Sequence, residues 1–218
     1  MLLLVDMDNT LVDRASAFDL WATDFVRSLG RSDSEVAWLI AADRSGYEPR
    51  ESLARAIKER FDADLGVEVL VNTLLYDHVH SMTMESVTTD ALRNARESGW
   101  RIGVVTNGTT AQQTLKIQTV GLEPFVDTVV ISQTEGVKKP DPEIFHIAAH
   151  RLRGELAGSW MVGDHPTADI AGGREAGLKT GWVSCGKEWP DELTAPNLSA
   201  CTAAQVIDAV VLLGAQEI

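Results

Sequence analysis

The sequence predicts an α/β protein: a doubly wound parallel sheet of the Rossmann-like kind, with an all-helical domain inserted near its start. Three observations predict this. Leu2-Leu3-Leu4-Val5 is an unbroken apolar run that ends on Asp6-Met7-Asp8-Asn9-Thr10, as a strand buried on both faces of a parallel sheet would. Beyond residue 85, strand-length apolar runs alternate with helical stretches, a rhythm that implies a parallel sheet with right-handed crossovers. Between the two lies a long stretch with helical periodicity and no strand signal.

In order along the chain, Phe18, Trp21, Ala22, Phe25, Val26 and Leu29 fall at helical spacing over 15–29, and Gly30 stops the helix. Ser32 or Asp33 caps a second helix carrying Val36, Leu39 and Ile40. Arg44 to Pro49 reads as a loop, and helices follow over 50–61 and 67–79. These segments define an expected helical cap at 14–85, and 1–13 with 86–218 form the expected core. Strands are expected at 101–106, 127–132, 159–163 and 179–184. Helices are expected over 109–119, 142–152, 169–176 (closed by Gly177) and 203–213. In such a sheet the ligand site lies at the carboxyl ends of the strands, where the polar clusters fall: Asp6 and Asp8, then Thr106, Lys139, and Asp164 with Asp169.

Composition narrows the partners. The chain has 218 residues, 44% of them apolar, and a formal net charge of −13. That charge argues against nucleic acid or an anionic membrane as partner; an anionic small substrate requires a metal or a local lysine to reverse the field. Cys185 and Cys201 form no ligand or redox motif. The opening apolar run, broken at Asp6, is too short for a signal peptide or a membrane span. The expected location is cytoplasmic.

Asp6 and Asp8 lean the same way in extended backbone. Like charges about 4 Å apart repel by roughly 4 kcal/mol at an effective dielectric of about 20. By itself an Asp-x-Asp can merely end a strand. A pair at the mouth of a buried strand is kept where it binds a hard cation, or where one member holds a proton while the other stays ionised.

Asp6-Met7-Asp8-Asn9-Thr10, Val104-Val105-Thr106-Asn107-Gly108, Lys139-Pro140-Asp141-Pro142 and Gly163-Asp164 with Asp169 resemble, in this order, the four motifs of the haloacid dehalogenase superfamily of phosphohydrolases. Gly172-Gly173-Arg174-Glu175-Ala176-Gly177 is similar to the family's continuation, and the insert resembles the cap class placed after the first strand. The resemblance implies a magnesium-dependent phosphatase that acts on a small phosphorylated metabolite through an aspartyl-phosphate. It also implies that Asp6, the backbone carbonyl of Asp8, and Asp164 hold the metal. Asp169 either orients that shell or caps the following helix. The preference for Lys139 over Lys138 rests on its place before Pro140, as in the family.

The residues bear a physical reading alongside this. Asp6, deepest in the sheet, suits a carboxylate nucleophile. Asp8 suits the general acid that protonates the leaving alcohol and then takes a proton from water. Thr106 and the amides around Asn107 and Gly108 could hydrogen-bond phosphoryl oxygens, although Thr106 alone could be a turn residue. Lys139 can neutralise charge building on the phosphoryl group. Four acids against one lysine require a divalent cation, and oxygen-only ligands select magnesium over zinc.

Arg44, Tyr47 and Arg50 in the cap are candidates to meet the leaving group. His146 with His150, and His78 with His80, read as surface pairs rather than metal sites. His165 could line the pocket, and Trp21 and Trp38 read as cap core. The chain could be a monomer or a homodimer. Rival readings are a dehalogenase of the same fold, which Asp8 argues against, and a phosphomutase, which keeps all four motifs. A receiver-like domain would need an acid after the third strand, and a catalytically silent phosphate-binding protein would not need every catalytic position filled.

Overall fold

A computed structural model describes residues 1–216. Its six strands are β1 (Leu2–Val5), β2 (Arg101–Thr106), β3 (Thr128–Ile131), β4 (Trp160–Gly163), β5 (Lys179–Val183) and β6 (Leu198–Ala200). All pair in parallel in the order β3-β2-β1-β4-β5-β6. The winding reverses at β1, which pairs β2 on one side and β4 on the other. That reversal opens the crevice in which sheets of this type hold ligands.

β1 earns its place by burial: Leu2, Leu3, Leu4 and Val5 are each no more than 1% exposed. Each such side chain contributes about 1.5–3 kcal/mol. The strand end that carries the acids is therefore held firmly enough to bear their repulsion.

The chain divides into two compact units, Met1–Val12 with the chain from Thr83 on, and Asp13–Met82. The second unit is all helical: α1 (Arg14–Ser28), α2 (Asp33–Asp43), α3 (Arg50–Phe61) and α4 (Val67–Tyr76). Its core is its own, built on Phe18, Val26, Leu39, Ile57 and Leu74. Trp21 stacks on Phe25 at 5.0 Å, and Trp38 meets Phe61 edge-on at 5.4 Å, so both tryptophans pack this core. The helix expected over 67–79 ends at Tyr76 and tightens into a 3-10 turn, Asp77–Ser81. That turn carries His78 inward against Phe18, so His78 is not a surface residue.

In the first unit the helices are α5 (Ser86–Glu97), α6 (Thr110–Val120), α7 (Ser132–Glu135), α8 (Glu143–Arg151), α9 (Gly172–Glu175) and α10 (Ala203–Gly214). Three elements lie outside the sequence expectations: α5, α7 and β6. Thr88, Ala91, Leu92 and Ala95 form the buried face of α5 at helical spacing, but small and hydroxylated residues make that stripe faint. β6 is three residues long and held by its pairing with β5, which no local pattern announces. Among the described residues, no helix is long and apolar enough to cross a membrane.

Candidate active site

The carboxyl ends of β1, β2 and β4 converge on one cluster. The Asp6 N–H donates to the Val162 carbonyl at 2.8 Å, prolonging the ladder by one bond and fixing where its carboxylate sits. Lys139 reaches the same spot from the segment after α7, its Nζ 2.5 Å from Asp6 Oδ1 and 2.7 Å from Asp169 Oδ1. Asp164 follows β4, and its carbonyl accepts a hydrogen bond from Trp182 Nε1 at 2.8 Å. Carboxylate oxygens of Asp6, Asp164 and Asp169 lie within 4.8 Å of one another, and all three residues are buried. Gly163 makes room for this, because a Cβ there would collide with the Asp169 carboxylate.

A second set of contacts surrounds the cluster. Thr106, the last residue of β2, accepts from Gln113 Nε2 at 2.6 Å. Lys116 Nζ lies 2.8 and 2.7 Å from the two oxygens of Asp8. Asn107 donates from Nδ2 to the Lys139 carbonyl and accepts from the Lys139 N–H, both at 2.9 Å. This pair of hydrogen bonds to the backbone fixes where the Lys139 side chain starts.

Charge is out of balance here, and the acids respond. Burial pushes the Asp6 carboxyl up, Lys139 pulls it back, and Asp169 and Asp164 push it further; the net position is well above the ordinary carboxylate range. Burial and then the Asp169 charge push Asp164 up to about 7, against the pull of Lys187 and Lys139. Burial alone would favour a neutral Lys139, but Asp169 and Asp6 reverse that and hold its ammonium charged. A site that keeps carboxyls reluctant to ionise has an excess of negative charge to offer a cation.

A family model described as haloacid dehalogenase-like hydrolase matches residues 1–177. The chain belongs to the haloacid dehalogenase-like hydrolases. A glyceraldehyde 3-phosphate phosphatase of Pyrococcus abyssi is 40% identical over 92 residues, 42% of this chain and 39% of that protein. The chain thus spans about two fifths of that relative's length. The pyrimidine 5'-nucleotidase PynA of Streptococcus pneumoniae is 27% identical over 196 residues, 84% of this chain and 83% of that protein. Among solved structures, the HAD-hydrolase YfnB of Bacillus subtilis, crystallised bound to magnesium, has the same fold. It superposes with a TM-score of 0.76 at 22% identity, over 95% of this chain and 97% of that one.

In this haloacid dehalogenase-like hydrolase several sequence expectations meet a different arrangement. The preference for Lys139 agrees with the geometry, since it enters the cluster and Lys138 is exposed; the differences lie elsewhere. Asp169 does not cap the helix after β4. A π-helical turn, Pro166–Ala171, precedes α9, and the His165 ring caps it, its Nδ1 accepting from the N–H groups of Thr167 and Ala168. Asp169 sits inside that turn, with Oδ2 accepting from the His165 N–H at 2.9 Å and Oδ1 against Lys139, so it orients its neighbours. Burial lowers the His165 imidazole, and Asp169 opposes this only in part.

Gly108, expected to offer its amide to phosphate, donates that N–H to Ser132 Oγ at 3.0 Å. The Asn107 side chain is likewise engaged with Lys139 rather than open to a ligand. The Asp8 carboxylate lies outside the three-acid cluster, on Lys116. In the helical unit, Arg44 pairs with Glu48 at 3.5 Å and Tyr47 is exposed. Arg50 is turned onto Asp43 at 2.7 Å and onto the Glu48 carbonyl, which occupies the guanidinium that a leaving group would need. His146, His150 and His80 are exposed.

Gln113 and Lys116 lie outside the sequence expectations. A signal was available: α6 offers few apolar residues for the face it buries, and that face consists of Gln113, Lys116 and Ile117.

Proposed function

We propose that this chain is a magnesium-dependent phosphatase that hydrolyses small phosphate monoesters through an aspartyl-phosphate on Asp6. The single observation that carries the reading is the buried group of Asp6, Asp164 and Asp169, with Lys139 on two of the three. Oxygen-only donors with surplus negative charge fit a hard divalent cation. Asp6, the Asp8 carbonyl and Asp164 would hold it, with Asp169 orienting Lys139 and the β4 turn. Such an ion, when bound, neutralises the phosphate dianion and the charge that develops during transfer.

The chain's own residues supply the rest. An Asp6 carboxylate oxygen attacks phosphorus as the bond to the leaving oxygen breaks; that oxygen takes the electron pair and a proton from Asp8. Water then attacks the aspartyl-phosphate and gives a proton to Asp8. The Asp6–phosphorus bond breaks, and inorganic phosphate leaves. Lys139 and the Thr106 hydroxyl face the phosphoryl oxygens throughout. Sugar phosphates, nucleotides and phosphoglycolate are candidate substrates, and the two named relatives act on esters of this class.

The test is a panel of phosphate monoesters assayed with and without magnesium, alongside Asp6→Asn. Turnover of at least one ester that needs both magnesium and Asp6 is expected. Hydrolysis that survives in Asp6→Asn would refute the assignment, and turnover that appears only with an added bisphosphate would make the protein a mutase.

A further inference from the structure

Lys116 is an unusual lysine. It lies on α6, on the outside of the sheet, where lysine ordinarily points to water, yet it is 2% exposed. Its Nζ is spent on both oxygens of Asp8. One turn earlier on the same face, the fully buried Gln113 places Nε2 2.6 Å from Thr106 Oγ1, 3.2 Å from Asp8 Oδ2 and 3.4 Å from the Asn107 carbonyl. A carboxylate and a carbonyl can only accept, so the amide must present its N–H groups here. Thr106 therefore accepts from Gln113, and its own hydroxyl proton is left for another acceptor. A Cβ on Gly108 would stand 2.8 Å from Gln113 Cδ, so the turn after β2 is shaped to admit this amide.

Burying a lysine and a glutamine is costly, and apolar residues of similar size commonly serve stability as well or better. The polar face of α6 therefore calls for a reason beyond packing.

We propose that Gln113 and Lys116 are positioning residues that hold Asp8 and Thr106 in register, so that one helix face sets two groups at once. Lys116 orients the Asp8 carboxyl, one of its two contacts giving way when that oxygen takes the proton that serves the leaving alcohol; Gln113 fixes the hydroxyl that faces the phosphoryl group. This rests on the phosphatase reading above. Misplacing a reacting group by about 1 Å can cost about 10²-fold in rate, which makes such a clamp worth its burial.

The test compares an alkyl phosphate, whose basic leaving oxygen needs a proton, with para-nitrophenyl phosphate, whose leaving group does not. Lys116→Met is expected to lower kcat on the alkyl ester about 10²-fold with KM changed by less than about 3-fold, and to lower kcat on the nitrophenyl ester far less. Gln113→Met is expected to affect both esters alike. Lys116→Met added to Asp8→Asn should cost nothing further. Equal losses on the two esters from Lys116→Met, or full additivity with Asp8→Asn, overturn the proposal.

The same double-mutant cycle read as melting temperature needs no turnover. Non-additive losses support the clamp, and additive ones remove it. Wild-type protein inert toward every ester would defeat the phosphatase reading, and this thermal cycle would still decide whether Lys116 acts through Asp8.

Discussion

The two units each bury a cluster of acids and bases, and the two clusters are balanced in opposite ways. In the helical unit, Arg14 meets Asp43 through two hydrogen bonds of 2.8 and 3.0 Å, and Arg50 adds a third at 2.7 Å. The Arg14 guanidinium also lies over the Phe18 ring, 4.9 Å from its centroid. Burial pushes the Asp43 carboxyl up, but Arg14 and then Arg50 more than reverse this, and the net position is below the ordinary range. Two cations surround one acid, and each of the acid's oxygens is used. In the sheet unit, Lys139 pairs with Asp6 and Asp169, Asp164 meets the exposed Lys187 at 4.0 Å, and burial with mutual repulsion still holds Asp6 and Asp164 above the ordinary range. A cluster whose acid already has a cation on each oxygen holds no negative charge to offer. One left short of positive charge, at a strand-end crevice, is shaped for something that arrives.

The largest effect that could break this contrast is removal of metal. Chelation is expected to take activity to background and magnesium to restore it, whereas a fully active chelated enzyme would put the sheet cluster in the same class as the helical one. Magnesium should also raise the melting temperature without any substrate present. A ligand at a hundredfold its Kd stabilises by about 2.7 kcal/mol, and no shift at any concentration would mean that the three acids hold no ion.

Next in size is Asp6→Asn, expected to slow turnover by about 10³-fold or more while leaving the fold intact. The comparison sharpens this: the substitution removes one negative charge from an overcrowded set. Metal-free Asp6→Asn should therefore melt no lower than metal-free wild type. A clear drop in its melting temperature would show the acid to be structurally matched after all.

Asp43→Ala is the counterpart in the helical unit. It leaves Arg14 and Arg50 buried without their partner, and breaking a buried pair in this way typically costs about 3–5 kcal/mol. Denaturant unfolding should show that loss. A cost below about 1 kcal/mol would place Asp43 with ordinary surface pairs.

These contrasts also show which parts the sequence could disclose. Leu2 to Val5 announced a buried strand because its signal is local, and Asp6 inherited its place from that strand. The helices of the cap were equally readable, since Leu53, Ala54 and Ile57 carry their period within the segment. What escaped depends on distant partners. Lys116 pairs with a residue 108 positions away and Arg14 with one 29 away, and neither pairing leaves a trace in the surrounding pattern. β6 exists only because β5 offers an edge. Asp169 was readable as part of the site, but not its role, which depends on the His165 ring taking over the cap.

The smallest expected effect is in pH, where the two clusters should differ in sign. Asp43 has a folded pKa below its unfolded value, near 3.8. It binds fewer protons in the folded state, so its stabilisation is fully present above that value and is lost as pH falls through the folded one. Asp164, raised to about 7, does the reverse. In metal-free protein the folded state binds the extra proton, so stability declines as pH rises from about 4 toward 7. Melting curves of metal-free protein should therefore fall on both sides of a maximum near pH 4. Asp43→Asn should flatten the acid side, and Asp164→Asn should lessen the neutral-side decline, to which the raised Asp6 carboxyl also contributes. Saturating magnesium should remove the neutral-side decline, because binding the ion requires the carboxylates ionised. If both sides respond to the same substitution, the two clusters are not independent and the contrast between them fails.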